Sequence, residues 1–314
     1  MRSSDKKPAV HSDRSFILVD QCPVCSGRSI FAYQKATFDY HHLQPEQISI
    51  TDKEYGKRWD LSRCRDCGYI FANPHPAPGF LRSLYFAVED PRYEDEAEGR
   101  SQNFVPILNQ LEKFHPEKGI LFDVGAATGI LLNIAEKRGW QTDGIESSLW
   151  AVKKAQKKYG LNIRQGDYKT ISLKPNSFSA VTMVDFIEHI PSPFEAVQKA
   201  VQMLQPGGIL CLVTPDVKSL AARVMGKKWW HYRPGHLGYF SQKSLSALLE
   251  RSGLSLLKKR RYAWTFSLHY ILSRFRVLES FLKNPRFSSL CKSIKIKLAL
   301  GDSLEIYALK GRPS

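Results

Sequence analysis

From Gly119 onward, short apolar runs alternate with amphipathic stretches, a pattern that predicts a parallel sheet covered by helices. Strands are expected at 119–124, 141–146, 162–165, 178–185 and 208–214, and helices at about 129–139, 147–159, 193–204 and 241–252. Two further strands, 254–261 and 303–310, close the pattern, with an insertion between them. In that insertion Leu268, Ile271, Leu272, Phe275, Leu278 and Leu282 form one stripe at helical spacing, with Arg274, Arg276 and Lys283 outside it. The pattern before residue 105 is different. β-rich and polar stretches lie between two Cys-x-x-Cys pairs, and Asn73-Pro74-His75-Pro76-Ala77-Pro78 reads as a closing turn. The organisation expected is a disordered lead over 1–15, a four-cysteine module over 16–78, a connector with short helices over 79–104 and an α/β domain over 105–314. The basic insertion occupies about 262–300 of that domain.

Composition sharpens this picture in two places. The 314 residues carry a net charge of +16, and the stretch from Arg251 to Leu300 has twelve Lys/Arg against one acid, Glu279. A localised excess of that kind points to an anionic partner. The N-terminal segment lacks the apolar core of an export signal, so a cytoplasmic location is expected, with contact at the inner membrane face as an option. In that setting Cys22, Cys25, Cys64 and Cys67 read as metal ligands rather than as a disulfide framework. Two Cys-x-x-Cys knuckles separated by 38 residues suit a closed, structural four-thiolate Zn2+ site.

The candidate ligand chemistry sits in the α/β part. Ile120 to Gly129 reads as a strand, a small-residue turn and a helix start, where Gly125, Ala126, Ala127 and Gly129 let the backbone approach a ligand. Asp123 lies on that strand. Glu146 ends the second strand 21 residues after Gly125, Asp167 follows the third, and Asp185 ends the fourth. Four acids at successive strand ends are the strongest functional signal in the chain. A dinucleotide fingerprint would need glycine at 125, 127 and 130, where this chain has Gly125, Ala127 and Ile130.

These residues resemble the class I S-adenosylmethionine-dependent methyltransferases, ubiquinone-type. Asp123-Val124-Gly125-Ala126-Ala127-Thr128-Gly129 matches the first motif, Glu146 and Asp167 match the ribose-side and adenine-side acids, and Leu204-Gln205-Pro206-Gly207-Gly208 matches the turn before the fifth strand. The resemblance implies S-adenosyl-L-methionine as cofactor and a Rossmann-like seven-stranded sheet, mostly parallel, with an antiparallel last strand. It also implies methyl transfer, and Asp185 to Pro193 is similar to the Glu-His segment of the O-methyltransferases. There His189 is expected as a general base, with Glu188 and His189 as metal ligands in the alternative. The aromatic stretch Trp229 to Ser241 is expected to wall an acceptor pocket, with His231 and His236 as second-rank bases.

The acceptor expected is a small molecule: a sugar, a saccharide intermediate or a lipid- or nucleotide-linked compound, methylated on oxygen or carbon. Similar four-cysteine modules precede the catalytic domain of sugar C-methyltransferases. Lys258 to Arg261 and Lys292, Lys295 and Lys297 around the apolar stripe suggest a helix lying on an anionic membrane. A nucleic-acid substrate is disfavoured, because neither the Pro-Pro-aromatic motif of amine methyltransferases nor a Pro-Cys pair follows the fourth strand. Ribose methylation of RNA escapes that objection, and a binding protein without catalysis is the third reading.

Overall fold

The computed structural model describes residues 16–275 and 281–311. The lead expected over 1–15 lies outside the described residues, as does Leu278. The first half of the described chain is built from short pieces. They are β1 (Phe16–Ile17), β2 (Ile30–Gln34), β3 (Leu61–Cys64), β4 (Ile70–Ala72), β5 (His75–Pro76), α1 (Pro78–Ala87), α2 (Pro91–Asp95) and α3 (Ala97–Phe114). The second half alternates strand and helix as its apolar periodicity requires: β6 (Ile120–Val124), α4 (Ile130–Lys137), β7 (Gln141–Glu146), α5 (Leu149–Tyr159), β8 (Arg164–Gln165), β9 (Phe178–Val184), α6 (Pro193–Met203) and β10 (Leu204–Pro215). Then come α7 (Leu220–Met225), β11 (Gly238–Tyr239), α8 (Gln242–Arg251), β12 (Leu254–Ser267), α9 (Leu268–Leu272), α10 (Pro285–Ser293) and β13 (Lys295–Lys310).

Seven strands form one sheet in the order β12-β13-β10-β9-β6-β7-β8, and β13 runs antiparallel to both of its neighbours. The Rossmann-like architecture read from the sequence is therefore present. On one face Ala196, Val197, Leu245 and Leu248 of α6 and α8 pack on the sheet, and on the other Ile107, Leu131 and Ala155 of α3, α4 and α5 do so. Local chemistry sets the helix ends. Ser148 and Ser241 accept backbone N–H bonds as N-caps of α5 and α8, and Gly160 ends α5 at φ +71, a conformation that favours glycine.

The N-terminal part does not stand apart. Strands β2, β3 and β4 are joined by β11, which belongs to the chain after β10, so the small sheet reads β11-β4-β3-β2. The aromatic stretch expected to wall an acceptor pocket supplies this strand instead. Trp229, Tyr239 and Phe240 are fully buried, and Trp229 and Tyr239 pack with Trp59 and Leu84 of the N-terminal part. Trp59 donates its indole N–H to the Pro234 carbonyl at 2.9 Å, and Arg233 pairs with Asp52.

The basic insertion also differs from its expected form. The stripe beginning at Leu268 does not continue as one helix: α9 stops at Leu272, where Arg274 and Phe275 turn back on the carbonyls of Ile271 and Leu272. Asn284 and Pro285 then start α10, with the Asn284 side chain accepting from the N–H groups of Arg286 and Phe287. No helix among the described residues is long and apolar enough to cross a membrane. Trp59→Ala should remove about 3–5 kcal/mol of unfolding free energy, read from a denaturant titration followed at the remaining tryptophans. A change under about 1 kcal/mol would show that this junction does not hold the two parts together.

Candidate functional site

Four consecutive parallel strands end at one sheet edge, and the main cleft opens there. Asp123 from β6, Gly125, Ala126 and Ala127 from the turn, Glu146 at the end of β7, Asp167 after β8 and Asp185 after β9 all line it. The sequence reading is brought together at these positions. Gly129 is the exception, since it lies behind the turn as the N-cap of α4 rather than among the lining residues. Its φ of +76, together with a Cβ that would stand 2.6 Å from Leu161 Cδ1, accounts for the glycine without any ligand contact. At Gly125, with φ +77, a Cβ would stand 2.8 Å from the Phe186 ring.

The turn is clamped by Glu146. Ala127 N–H donates to its Oε2 at 2.9 Å and Ser148 N–H to its Oε1 at 2.8 Å, while Gly125 and Ala126 N–H both reach the Ile145 carbonyl. Burial raises the Glu146 pKa against the pull of these donors. Each oxygen keeps a lone pair for a ligand hydroxyl. Asp123 is buried and accepts from Thr182 Oγ1 at 2.6 Å; burial pushes it up to about 7. Asp185 adopts φ +49 and is likewise pushed up to about 7 by burial, with the charges of Arg100 and Arg233 opposing that rise.

Arg100 is a candidate site residue that the sequence did not disclose. It sits in α3 among helix polars, yet it is 5% exposed, lines the cleft and lies over the Tyr93 ring at 3.8 Å. Its Nε has no hydrogen-bond partner among the described residues. A cation facing Asp123 and Asp185 across one cleft suits a zwitterionic ligand: carboxylate to Arg100, ammonium to the acids. Only the Gly-Arg pair at 99–100, small next to basic, could have hinted at a close approach there.

His189 does line the cleft, and its Nδ1 shares a 3.0 Å hydrogen bond with the Tyr85 hydroxyl. Burial, helped by Arg233, pushes its pKa down to about 3. It therefore stays neutral, and the groups poised near neutrality in the cleft are Asp123 and Asp185. His231 and His236 are not among the lining residues. His231 faces Asp302 at 3.2 Å and His236 packs edge-on against His189 with ring centres 4.7 Å apart. Glu188, His189 and His236 nevertheless bring their donor atoms within 4.8 Å of one another, and Glu188 Oε1 and His236 Nδ1 lack partners among the described residues. The far wall of the cleft is apolar and comes from the N-terminal part and the long strands: Ile48, Leu81, Tyr85 and Trp264.

The four cysteines converge as their spacing predicts. Their sulfurs lie within 4.8 Å of one another, and Cys22–Cys67 and Cys25–Cys64 are each 3.6 Å apart. A tetrahedron with metal–sulfur bonds of about 2.3 Å has edges of about 3.8 Å, whereas a disulfide needs about 2.05 Å. The two knuckles share one design. Ser26 N–H returns to the Cys22 carbonyl and Gly68 N–H to the Cys64 carbonyl, and Ser26 and Gly68 both take positive φ. Serine in the left-handed position of the first knuckle concealed that equivalence in the sequence.

Residues 97–259 match a family model described as a methyltransferase domain. The ubiquinone biosynthesis O-methyltransferase of Xanthomonas campestris pv. campestris (strain B100) is 29% identical over 153 residues, covering 43% of this chain and 62% of that protein. The protein of the same name from Idiomarina loihiensis is 32% identical over 94 residues, 28% of this chain and 39% of its own length. The chain thus spans less than two thirds of the curated relatives it matches. Among solved structures, an S-adenosylmethionine-dependent methyltransferase from Archaeoglobus fulgidus is 18% identical with a TM-score of 0.46, covering 70% of this chain and all of that one, 100%.

The two raised acids make a pH test. In the folded protein Asp123 and Asp185 keep their protons up to about pH 7, whereas in the unfolded chain they lose them near the ordinary carboxyl value. The proton-bound fold is favoured in acid, and that contribution is lost as the pH rises towards 7. Asp123→Asn should lessen this fall in thermal stability between about pH 4 and pH 7, with Asp185 keeping its own share; an unaltered slope would mean that Asp123 is already ionised in the ligand-free protein.

Proposed function

This chain belongs to the methyltransferase-domain family, and from that premise we propose that it moves the methyl group of S-adenosyl-L-methionine to a small-molecule acceptor. The observation that carries the reading is the convergence of Asp123, Gly125, Glu146, Asp167 and Asp185 with Arg100 around one cleft. When bound, the cofactor would supply an activated methyl on a sulfonium. Glu146 would take the ribose hydroxyls on its free lone pairs, and Asp167 the adenine amino group. Arg100, Asp123 and Asp185 would hold the amino-acid end. Gly125 leaves room for close backbone approach between that end and the ribose.

The acceptor side fits a small organic group better than a polymer. Ile48, Leu81, Tyr85 and Trp264 make a mostly apolar enclosure, and His189 and Tyr85 offer polar atoms within it. In-line displacement needs alignment above all, and these walls would supply it. A sugar, saccharide or lipid-linked acceptor presenting a hydroxyl or an activated carbon is the substrate class proposed. The four-thiol cluster is proposed as a structural Zn2+ site, because its sulfur spacing fits a closed tetrahedron and leaves no position for water.

Calorimetry tests the first reading. Wild-type protein should bind S-adenosylmethionine and its demethylated product, and Gly125→Ala should weaken both about tenfold or more through a strained backbone and the Phe186 contact. Binding by neither compound would end the proposal, and a Gly125→Ala protein of unchanged affinity would move the cofactor away from this turn. Metal analysis tests the second. One zinc per chain is expected, lost in Cys64→Ser together with a lowered unfolding midpoint; metal-free protein of the same stability would dismiss it.

A further inference from the structure

Strands β12 and β13 are longer than the sheet requires. Strand β10 pairs with β13 only from Ile209 to Pro215, opposite Leu309 to Ser303. Past that point β12 and β13 continue with each other alone, Trp264 to Ser267 against Leu298 to Lys295. They form a two-stranded arm beyond the end of β10, at the edge where the cleft opens. The arm carries α9, a turn of 3-10 helix over Phe281–Lys283, and α10. It is fixed beside the cleft. Trp264 lines that cleft, and Arg274 donates to the carbonyls of Thr51 at 3.0 Å and Asp52 at 2.7 Å, next to the lining residue Ile50.

The tip has an inner and an outer side. Cys291 of α10 faces in at 1% exposure, while Phe287 at 40%, Leu290 at 58% and Ile294 at 41% recur at spacings of three and four on the outside, with Phe281 at 61% just before them. Four bare apolar side chains within fourteen residues are hard to reconcile with contact to water alone. Lys283, Arg286 and Lys292 stand among them, exposed, and none forms an ion pair with another described residue. The four basic residues at 258–261 are different, since each is engaged: Lys258 with Gln110, Lys259 with Gln242, Arg260 with Glu305 and Arg261 with Asp216.

Nucleic acid would reward the three cations and stack on the two phenyl rings, but it would not reward the aliphatic Leu290 and Ile294. An anionic bilayer rewards both, taking apolar side chains at the acyl boundary and Lys/Arg among its headgroups. We infer that the tip of this arm docks the protein on an anionic membrane surface, with the cleft beside that surface. On the methyl-transfer reading, such a position suits an acceptor that carries a lipid tail.

The test is flotation of the full chain with vesicles, without methyl donor. Phosphatidylcholine containing phosphatidylserine should carry the protein upward at low salt, and phosphatidylcholine alone should not. High salt should release it by screening. Phe287→Ser with Leu290→Ser should lower partitioning at least about tenfold, and Arg286→Glu, an exposed change that spares the apolar side, should lower it about fivefold or more. Unaltered unfolding midpoints would show that both variants fold. The inference is overturned if the wild type stays unbound to anionic vesicles at low salt, or if either variant binds like the wild type. It also falls if polyuridylate RNA retains the protein while vesicles do not. Because flotation is read without cofactor, its failure leaves methyl transfer untouched, and a failed cofactor titration leaves the docking surface untouched.

Discussion

The parallel pairing of β6 between β7 and β9 is the constraint on which the cleft depends. Asp123 lies opposite Thr182 on one side and Gly144 on the other, so Thr182 Oγ1 can donate to the buried carboxyl. Slipping β9 by one residue would turn its side chains to the opposite face and leave Asp123 without that donor. The same register brings Gly125, Glu146 and Asp185 to one edge, because three parallel strands leave the sheet there together. Glu146 then locks the turn by accepting from Ala127 and Ser148. The cleft is thus a consequence of backbone pairing, and its acids need no contact with one another to be placed.

The other half of the cleft depends on the N-terminal part, and a continuous set of contacts joins the two. Tyr69 follows Cys67 by two residues and packs on Phe240 with ring centres 4.7 Å apart. A Cβ at Gly238 would stand 1.9 Å from the Tyr69 hydroxyl, so β11 can lie against the knuckle only as glycine. One residue earlier, Leu237 N–H donates to the Glu188 carbonyl at 2.7 Å, and Gly235 lies against the His189 ring. The thiol cluster is therefore tied, through β11, to the loop that presents His189. A metal that holds the knuckles would hold this wall as well.

The sheet and its acids were legible because each is written locally. Strand ends carry their acids within a residue or two, and apolar periodicity marks the helices between them. The partners of β4 were not legible, since Phe71 pairs with Gly238 across a long intervening chain and only tertiary packing selects it. The aromatic run Trp229 to Phe240 was read as a pocket wall for the same reason. Aromatics that bury against another part of the protein have the same composition as aromatics that receive a ligand. Arg100 looked like any helix cation, and only its burial in the cleft sets it apart. His189 was expected near neutrality from its side-chain type, but enclosure by Tyr85, His236 and Arg233 keeps it uncharged.

Charge is where composition and structure diverge most usefully. Asp216 and Glu305 have side chains 1% and 0% exposed, and carboxylates buried to that degree are costly unless paired. Arg261 and Arg260 on β12 meet them at 2.5 and 2.7 Å, so two of the four consecutive basic residues serve the inside of the sheet rather than a partner outside. Their placement also loads the edge strand with cations, which discourages pairing with a second sheet. Subtracting these residues moves the remaining excess towards the tip of the β12–β13 arm. Summed charge only pointed towards an anionic partner, while the pattern of ion pairs says where the positive field is left uncompensated.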